Sequence, residues 1–354
     1  MANKHCRKLS NSAHLTYKNN KLLFQPCCWV QPNNIDISDK IKLAKTRKIF
    51  IEKVESNIEK FCSECLNREK FGYGESDRQK VLEFIPEDAT ITNIYDLFLQ
   101  IDTTCNAACV MCGPHFSSLW GKQLDPAFKL KNLSEQYEKL NKLDNWKKLT
   151  SVTFLGGEPF LSENNFIFLK NIPNPENVSL SFNTNGSISI VDYSIKSILM
   201  KFKKVSVSFS IDGIDDIFEY IRWPLKWNKV SKNIYEYVTE DFQRKNRRGI
   251  NITVNPMNLI YINDVVNHFK NNYKNMHINT SVCYGTWGLD ATPKKLRQYI
   301  EEKFGRNHTI VKMLESQPEI PGKFNTLIEN MEYLDSVRNL SYKDTFQEVF
   351  KILK

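Results

Sequence analysis

The sequence predicts an α/β fold built on parallel strands, and three observations carry that prediction. Between Asn93 and Gly288, short apolar runs near Leu97, Val152, Val178, Val205, Ile250 and His277 alternate with polar helical stretches, giving six βα units in succession. Units of this kind pair as parallel strands joined by right-handed crossovers. The chemically distinctive strings of the chain fall just after these runs, at strand carboxyl ends, where parallel α/β barrels collect reactive groups. The flanks differ from this middle: the layout divides into a cysteine-rich segment over 1–88, the βα region over 89–290 and a helical extension over 291–354.

The first segment opens with Cys6 and an alternating hairpin pattern, His14 to Tyr17 and Lys21 to Phe24, turned by Asn19 and Asn20, which tolerate left-handed backbone geometry. Cys27 and Cys28 follow directly. A lysine-rich helical stretch from about Ser38 to Lys60 leads to FCSEC, whose Cys62 and Cys65 form a C-x2-C pair. Cys6, Cys27, Cys62 and Cys65 make a complete tetrad, with Cys28 as the alternative to Cys27. Such a tetrad suits an iron–sulfur cluster, and C-x2-C suits tetrahedral zinc as well.

The first βα unit ends in CNAACVMC, which places Cys105, Cys109 and Cys112 in C-x3-C-x2-C spacing just after the apolar run Leu97 to Ile101. With nine cysteines in 354 residues, accident produces such a triple roughly 0.006 times per chain, so chance is a poor explanation. Three thiolates on one short loop can hold three irons of a cubane 4Fe-4S cluster and leave the fourth open, whereas a closed centre needs a fourth protein ligand. An open coordination position is what a metal site keeps for a substrate.

The second unit runs from Val152 into Gly156, Gly157, Glu158 and Pro159. Its glycines allow backbone to approach a ligand closely, and the Glu158 carboxylate can accept a charge-assisted bond from an ammonium group. The third ends in SLSFNTNG with Asn185, and the fourth in VSVSFSIDG. Side chains two apart on a strand share a side, so Ser208 points to the same face as Ser210. Arg222 follows nine residues after Gly213. The last strand ends in NTSVCYGTWG, with Cys283, Tyr284 and Trp287; a single strand cysteine is usually small buried filler.

The cysteine loop, with apolar Met111 before its last cysteine, the GGEP string and the later strand ends resemble the radical S-adenosylmethionine (SAM) superfamily. The resemblance implies an incomplete (β/α)6 TIM-like barrel with the Cys105, Cys109 and Cys112 cluster chelating SAM. It further implies that Gly156, Gly157 and Glu158 receive the SAM ammonium, and that Ser210 and Arg222 hold its carboxylate. Met111, Asn185 and Ser208 are candidate contacts. The layout of a cysteine, a hairpin ending in P-C-C and a later C-x2-C resembles the SPASM or twitch auxiliary-cluster modules of such enzymes, here placed before the barrel instead of after it. That implies a second 4Fe-4S cluster on Cys6, Cys27, Cys62 and Cys65. The family's reaction, reductive cleavage of SAM to a 5'-deoxyadenosyl radical that takes hydrogen from a substrate, points to modification of a peptide or protein. In peptide epimerases a cysteine returns a hydrogen atom to the substrate, a role open to Cys283. Radical modification of a nucleotide or other small molecule, and a non-catalytic iron–sulfur electron carrier, are the alternatives.

Composition fits this reading. The chain is 41% hydrophobic and 25% charged, with no apolar stretch approaching the roughly 18 residues a membrane span needs. MANKHCRKLSNSAHLTYK has no apolar signal core, so the expected location is the cytoplasm, where thiols stay reduced and available for iron. The net charge of +9 includes Lys201, Lys203 and Lys204 and the group Arg244, Lys245, Arg247 and Arg248. Such basic faces attract an acidic flavodoxin- or ferredoxin-type electron donor or an acidic peptide. Nucleic acid is the less favoured partner of the same charges, because no stacking aromatics interleave with them. His115, beyond the cysteine loop, reads as a surface or packing residue. The tail shows helical apolar spacing at Leu296, Ile300 and Phe304 and again at Phe346, Phe350 and Ile352.

Overall fold

The computed structural model describes residues 6–18, 21–27, 30–31, 33–72, 75–240 and 247–354. Six parallel strands form the centre: β3 (Asp96–Gln100), β4 (Ser151–Phe154), β5 (Ser179–Thr184), β6 (Lys204–Ser210), β7 (Arg247–Val254) and β8 (His277–Val282). They lie side by side in chain order, each connected to the next through a helical crossover. The expected six-unit α/β barrel is therefore present. It is incomplete, because among the described residues β8 ends the sheet.

At the other edge the sheet is longer than the βα periodicity predicts. The hairpin β1 (Ser12–Lys18) and β2 (Lys21–Gln25) joins it, with β1 parallel to β3 in the register Ala13 to Leu97 and Leu15 to Leu99. The turn residues Asn19 and Asn20 lie outside the described residues. Arg47, on the helix Lys40–Ser56, is fully buried and pins this addition: Nη2 donates to the Ser12 carbonyl and Nη1 to those of Ile91 and Asn93.

The strands alternate, which is unusual for parallel sheets covered on both faces by apolar layers. Leu97, Leu99, Val152, Phe154, Leu180, Phe182, Val205, Val207, Phe209, Ile250 and Ile252 are all buried on the outer face, beneath the helices. The intervening residues include Ser181, Asn183, Ser206, Ser208, Ser210, Asn251 and Thr253, and these are exposed or half-buried. A period of two puts them together on the inner wall, so the barrel has an oily outside and a wet lumen.

The C-terminal segment is helical as expected, with helices at Lys294–Phe304, Thr309–Ser316, Lys323–Arg338, Tyr342–Thr345 and Gln347–Leu353. It packs on the barrel through Trp287 Nε1, which donates to Asn330 Oδ1 at 2.9 Å, and Tyr220 Oη, which donates to Asp335 Oδ1 at 2.9 Å. Among the described residues no helix is long and apolar enough to cross a membrane.

Candidate functional site

The loop after β3 is held from both sides by its own surroundings. Ser118 Oγ accepts from the Cys105 amide at 3.0 Å, Ser117 Oγ donates to the Ala107 carbonyl at 2.6 Å, and Trp120 Nε1 donates to the Cys109 carbonyl at 2.8 Å. All three belong to the start of the helix Ser118–Leu124 or its N-cap. From the opposite side, the Ala108 amide donates to the Trp223 carbonyl at 2.7 Å and the Val110 amide to Ile221 at 2.9 Å. These bonds hold the loop through its backbone rather than through its sulfurs.

Those sulfurs face a cavity of about 310 Å³ at the carboxyl ends of the central strands. Cys105, Cys109, Met111 and Cys112 line it on one side, with Gly156, Gly157, Glu158, Asn185, Ser210 and Arg222 around the rest. Ser208 lies one turn of the pleat deeper and is not part of the lining. Cys283 is also outside it, 4% exposed, with its amide on the Val254 carbonyl. Burial raises the thiols, Cys105 to about 12 and Cys112 to about 11, with neighbouring Cys109 adding to both. Raised in this way, the Cys105 and Cys112 thiols are poor acids on their own, and metal binding is what deprotonates such groups.

The two glycines serve the loop as much as any ligand. Gly156 has φ 110°, and a Cβ there would stand 2.5 Å from the Asp102 carbonyl oxygen; one on Gly157 would drive into the Thr104 carbonyl. The close approach lets the Gly157 amide donate to Asp102 O at 3.1 Å and the Glu158 amide to Thr104 O at 2.7 Å. GGEP is thereby stitched to the strand that delivers the cysteines.

Glu158 is 1% exposed, and its carboxylate is a hub for the end of β5. Thr184 Oγ1 donates to it at 2.8 Å, the Asn185 amide at 2.7 Å and the Phe160 amide at 3.2 Å. Burial raises its pKa from 4.5 to about 7 in spite of these donors and of Arg222. Asn185 is engaged too: Nδ2 donates to Asn106 Oδ1 at 2.9 Å, and its Oδ1 accepts from the Ser187 amide at 2.9 Å.

Arg222 pairs with the wholly buried Asp212 at 2.6 Å, and its Nη1 donates toward Cys109 Sγ at 3.5 Å. Burial opposes its charge, but Asp212 and Cys109 outweigh that and hold its pKa above the ordinary guanidinium value. Its Nε is buried without a hydrogen-bond partner among the described residues. Asp212 belongs to the S-I-D-G turn, so that motif supplies the counter-ion as well as Ser210. Asn106, Thr184, Ser187, Trp120 and Trp223 escaped the sequence reading because each acts through long-range partners that local pattern does not reveal.

A second group of thiols gathers in the N-terminal region. Cys6, Cys27, Cys62 and Cys65 line a small cavity of about 10 Å³ together with Lys8, Asp77 and Arg78. Burial raises Cys62 to about 11 and Cys65 to about 12, with Cys27 raising both further. Cys28 lies outside the described residues. Among the described residues no three His, Cys, Asp or Glu side chains converge as the ligands of a single ion would. Cubane ligands sit on separate irons and stand farther apart, so both thiol groups suit a cluster by donor type.

Comparison with known proteins gives the following. Residues 100–269 match the family model described as the Radical SAM superfamily. No curated protein sequence matches the chain. Among solved structures the chain is similar to native anSMEcpe with bound AdoMet, at 19% identity and TM-score 0.40, covering 59% of this chain and 60% of that chain. It is also similar to Streptococcus suis SuiB bound to S-adenosylmethionine, at 14% identity and TM-score 0.37 over 84% of this chain and 69% of that one. SuiB bound to precursor peptide SuiA gives 13% identity and TM-score 0.40 over the same shares, 84% and 69%. The match spans about 60% of the length of the anSMEcpe chain.

Proposed function

With residues 100–269 forming a radical SAM domain, we propose that this protein is an enzyme that cleaves SAM reductively and abstracts hydrogen from a peptide or protein substrate. The observation that carries the reading is the meeting of three thiols, the Gly-Gly-Glu turn, Ser210 and Arg222 on one cavity at the strand carboxyl ends. The cluster and SAM supply, when bound, a one-electron cleavage of a sulfonium and the 5'-deoxyadenosyl radical that removes hydrogen. The chain's own residues hold and aim. Cys105, Cys109 and Cys112 ligate, and the bonds from Ser118, Trp120, Trp223 and Ile221 fix their loop. Met111 and the glycine turn shape the SAM seat, Glu158 holds the ends of β4 and β5 together, and Arg222 presents its unused Nε to a carboxylate. The cavity walls limit water at the reacting atoms.

The lumen supports a peptide substrate. Asn279 Nδ2 donates to Asn251 Oδ1 at 3.0 Å, and Asn251 Nδ2 to Asn183 Oδ1 at 2.9 Å, a row of carboxamides running from the cavity toward the β8 edge. Carboxamides carry both donor and acceptor and match the peptide group. The N-terminal thiols are proposed to hold an auxiliary 4Fe-4S cluster; their narrow cavity of about 10 Å³ is the observation that keeps zinc as the second reading. An acidic flavodoxin- or ferredoxin-type donor would meet the basic surface that includes exposed Lys201 and Lys203; Arg244 and Lys245 lie outside the described residues.

Anaerobically reconstituted protein given dithionite and SAM should release 5'-deoxyadenosine, and Cys109→Ala should reduce that release to background. Release that survives Cys109→Ala, or a fully iron-loaded wild type that releases none, would overturn the proposal.

A further inference from the structure

Arg338 closes the helix Lys323–Arg338, far along the chain from the cysteine loop, yet its guanidinium meets two tryptophans that are bonded to that loop. Its Cζ sits 4.8 Å from the ring of Trp120 and 4.9 Å from that of Trp223, so two indoles sandwich the charge. The residue is 6% exposed. Nε donates to Gln123 Oε1 at 3.1 Å, while Nη1 and Nη2 are buried with no hydrogen-bond partner among the described residues. Asp216, Glu219 and Asp344 line the neighbouring cavity of about 400 Å³; Glu219 pairs with Lys226, and among the described residues none of the three pairs with Arg338. Stacking on indole faces recovers part of the lost hydration; it does not replace an anion.

Both tryptophans are bonded to the cysteine loop itself, Trp120 through its indole and Trp223 through its backbone. Trp120 Nε1 donates to the Cys109 carbonyl at 2.8 Å, and the Trp223 carbonyl accepts from the Ala108 amide at 2.7 Å. Burial lowers the Arg338 pKa to about 10, and of the groups that pull it back up Cys109 acts most strongly. A buried cation with two idle donors has thus been built against a loop of three thiols.

We propose that Arg338 is a positioning residue whose buried guanidinium is the counter-charge of the filled Cys105, Cys109 and Cys112 site, tying the C-terminal helix to the cofactor loop. This rests on the proposed cluster at those cysteines. Three thiolates give such a site net negative charge that grows on reduction, so a fixed cation nearby favours the reduced form and raises the reduction potential. Without the cluster the same cation is unmatched.

Arg338→Met, which keeps the stem between the indoles, and Arg338→Lys, which keeps the charge, separate these effects in the full chain. The measurements are iron content, melting temperature before and after anaerobic reconstitution, and an EPR-monitored potential for the signal that responds to added SAM. Arg338→Met should gain less melting temperature than wild type on cluster loading and show a more negative potential. Arg338→Lys should stay near wild type in both. An equal shift of the melting temperature with and without cluster, at unchanged potential, marks a packing role only and overturns the inference. Arg338→Gln is the neutral variant used if Arg338→Met does not fold. Wild type that takes no iron on the three cysteines overturns the cluster reading and this inference with it, whereas normal loading with an unchanged potential overturns this inference alone.

Discussion

Cys105, Cys109 and Cys112 face a cavity of about 310 Å³, whereas Cys6, Cys27, Cys62 and Cys65 enclose about 10 Å³. The first corner has one sulfur too few to close a cubane and ample room beside it. The second has a full set and almost no room. Metal centres divide along the same line: closed ligand sets stabilise or store electrons, while open ones keep a position for chemistry. Their carboxylates differ as well. In the closed corner Asp77 pairs with Lys8 at 3.6 Å, whereas the open corner holds both an ion pair, Asp212 with Arg222 at 2.6 Å, and a carboxylate, Glu158, that among the described residues takes hydrogen-bond donors without a salt bridge. The difference teaches that burial of thiols, common to both corners, does not by itself define a reactive site; the free volume and the missing ligand do.

The strongest way to break this comparison is to remove the closed set. Reconstituted wild type should hold about eight irons per chain and the double variant Cys62→Ala with Cys65→Ala about four, while still releasing 5'-deoxyadenosine on addition of dithionite and SAM. Iron that stays near four in both proteins, with zinc in the wild type, would make the closed corner a zinc site and leave the open one untouched.

A second variant probes how the open corner is built. Gly157→Ala sets a methyl group against the Thr104 carbonyl, so urea denaturation should show a loss of about 2–3 kcal/mol. Nucleoside release should fall with it, because the displaced backbone carries Cys105. A stability equal to wild type would mean that the glycine turn yields without disturbing the loop.

The smallest expected effect concerns protonation. Burial raises the Glu158 pKa from 4.5 to about 7, so the folded protein holds this proton more tightly than the unfolded chain. The residue therefore withdraws stability as pH rises from about 4.5 to about 7. In cofactor-free protein, the stability of Glu158→Gln relative to wild type should grow across that window, as read from urea midpoints at pH 5 and pH 7.5. A difference that does not change with pH would show Glu158 ionised throughout.

Much of the open corner was legible in the sequence because its parts are local strings. CNAACVMC, GGEP and S-I-D-G each follow a strand whose apolar run is visible, and parallel topology brings the ends of neighbouring strands together without further information. The six central strands were readable for the same reason. What escaped depends on contacts between distant segments. The alternation in His14 to Tyr17 signals a hairpin, but nothing local says that β1 will lie parallel to β3. Arg338 reads as the end of an amphipathic helix, and only the fold shows it between Trp120 and Trp223. Glu158 reads as an acceptor for a ligand, and its further use, accepting from Thr184 and the amides of Asn185 and Phe160, becomes visible only when β4 and β5 are side by side.

The claim beneath all of this is that the three-cysteine corner keeps an iron position for SAM. EPR of the dithionite-reduced, reconstituted protein carrying Cys62→Ala and Cys65→Ala tests it most directly, since only the open corner can then contribute a signal. The account predicts a 4Fe-4S spectrum whose g-values shift when SAM is added. A spectrum that SAM leaves unchanged, at full iron occupancy, would contradict it.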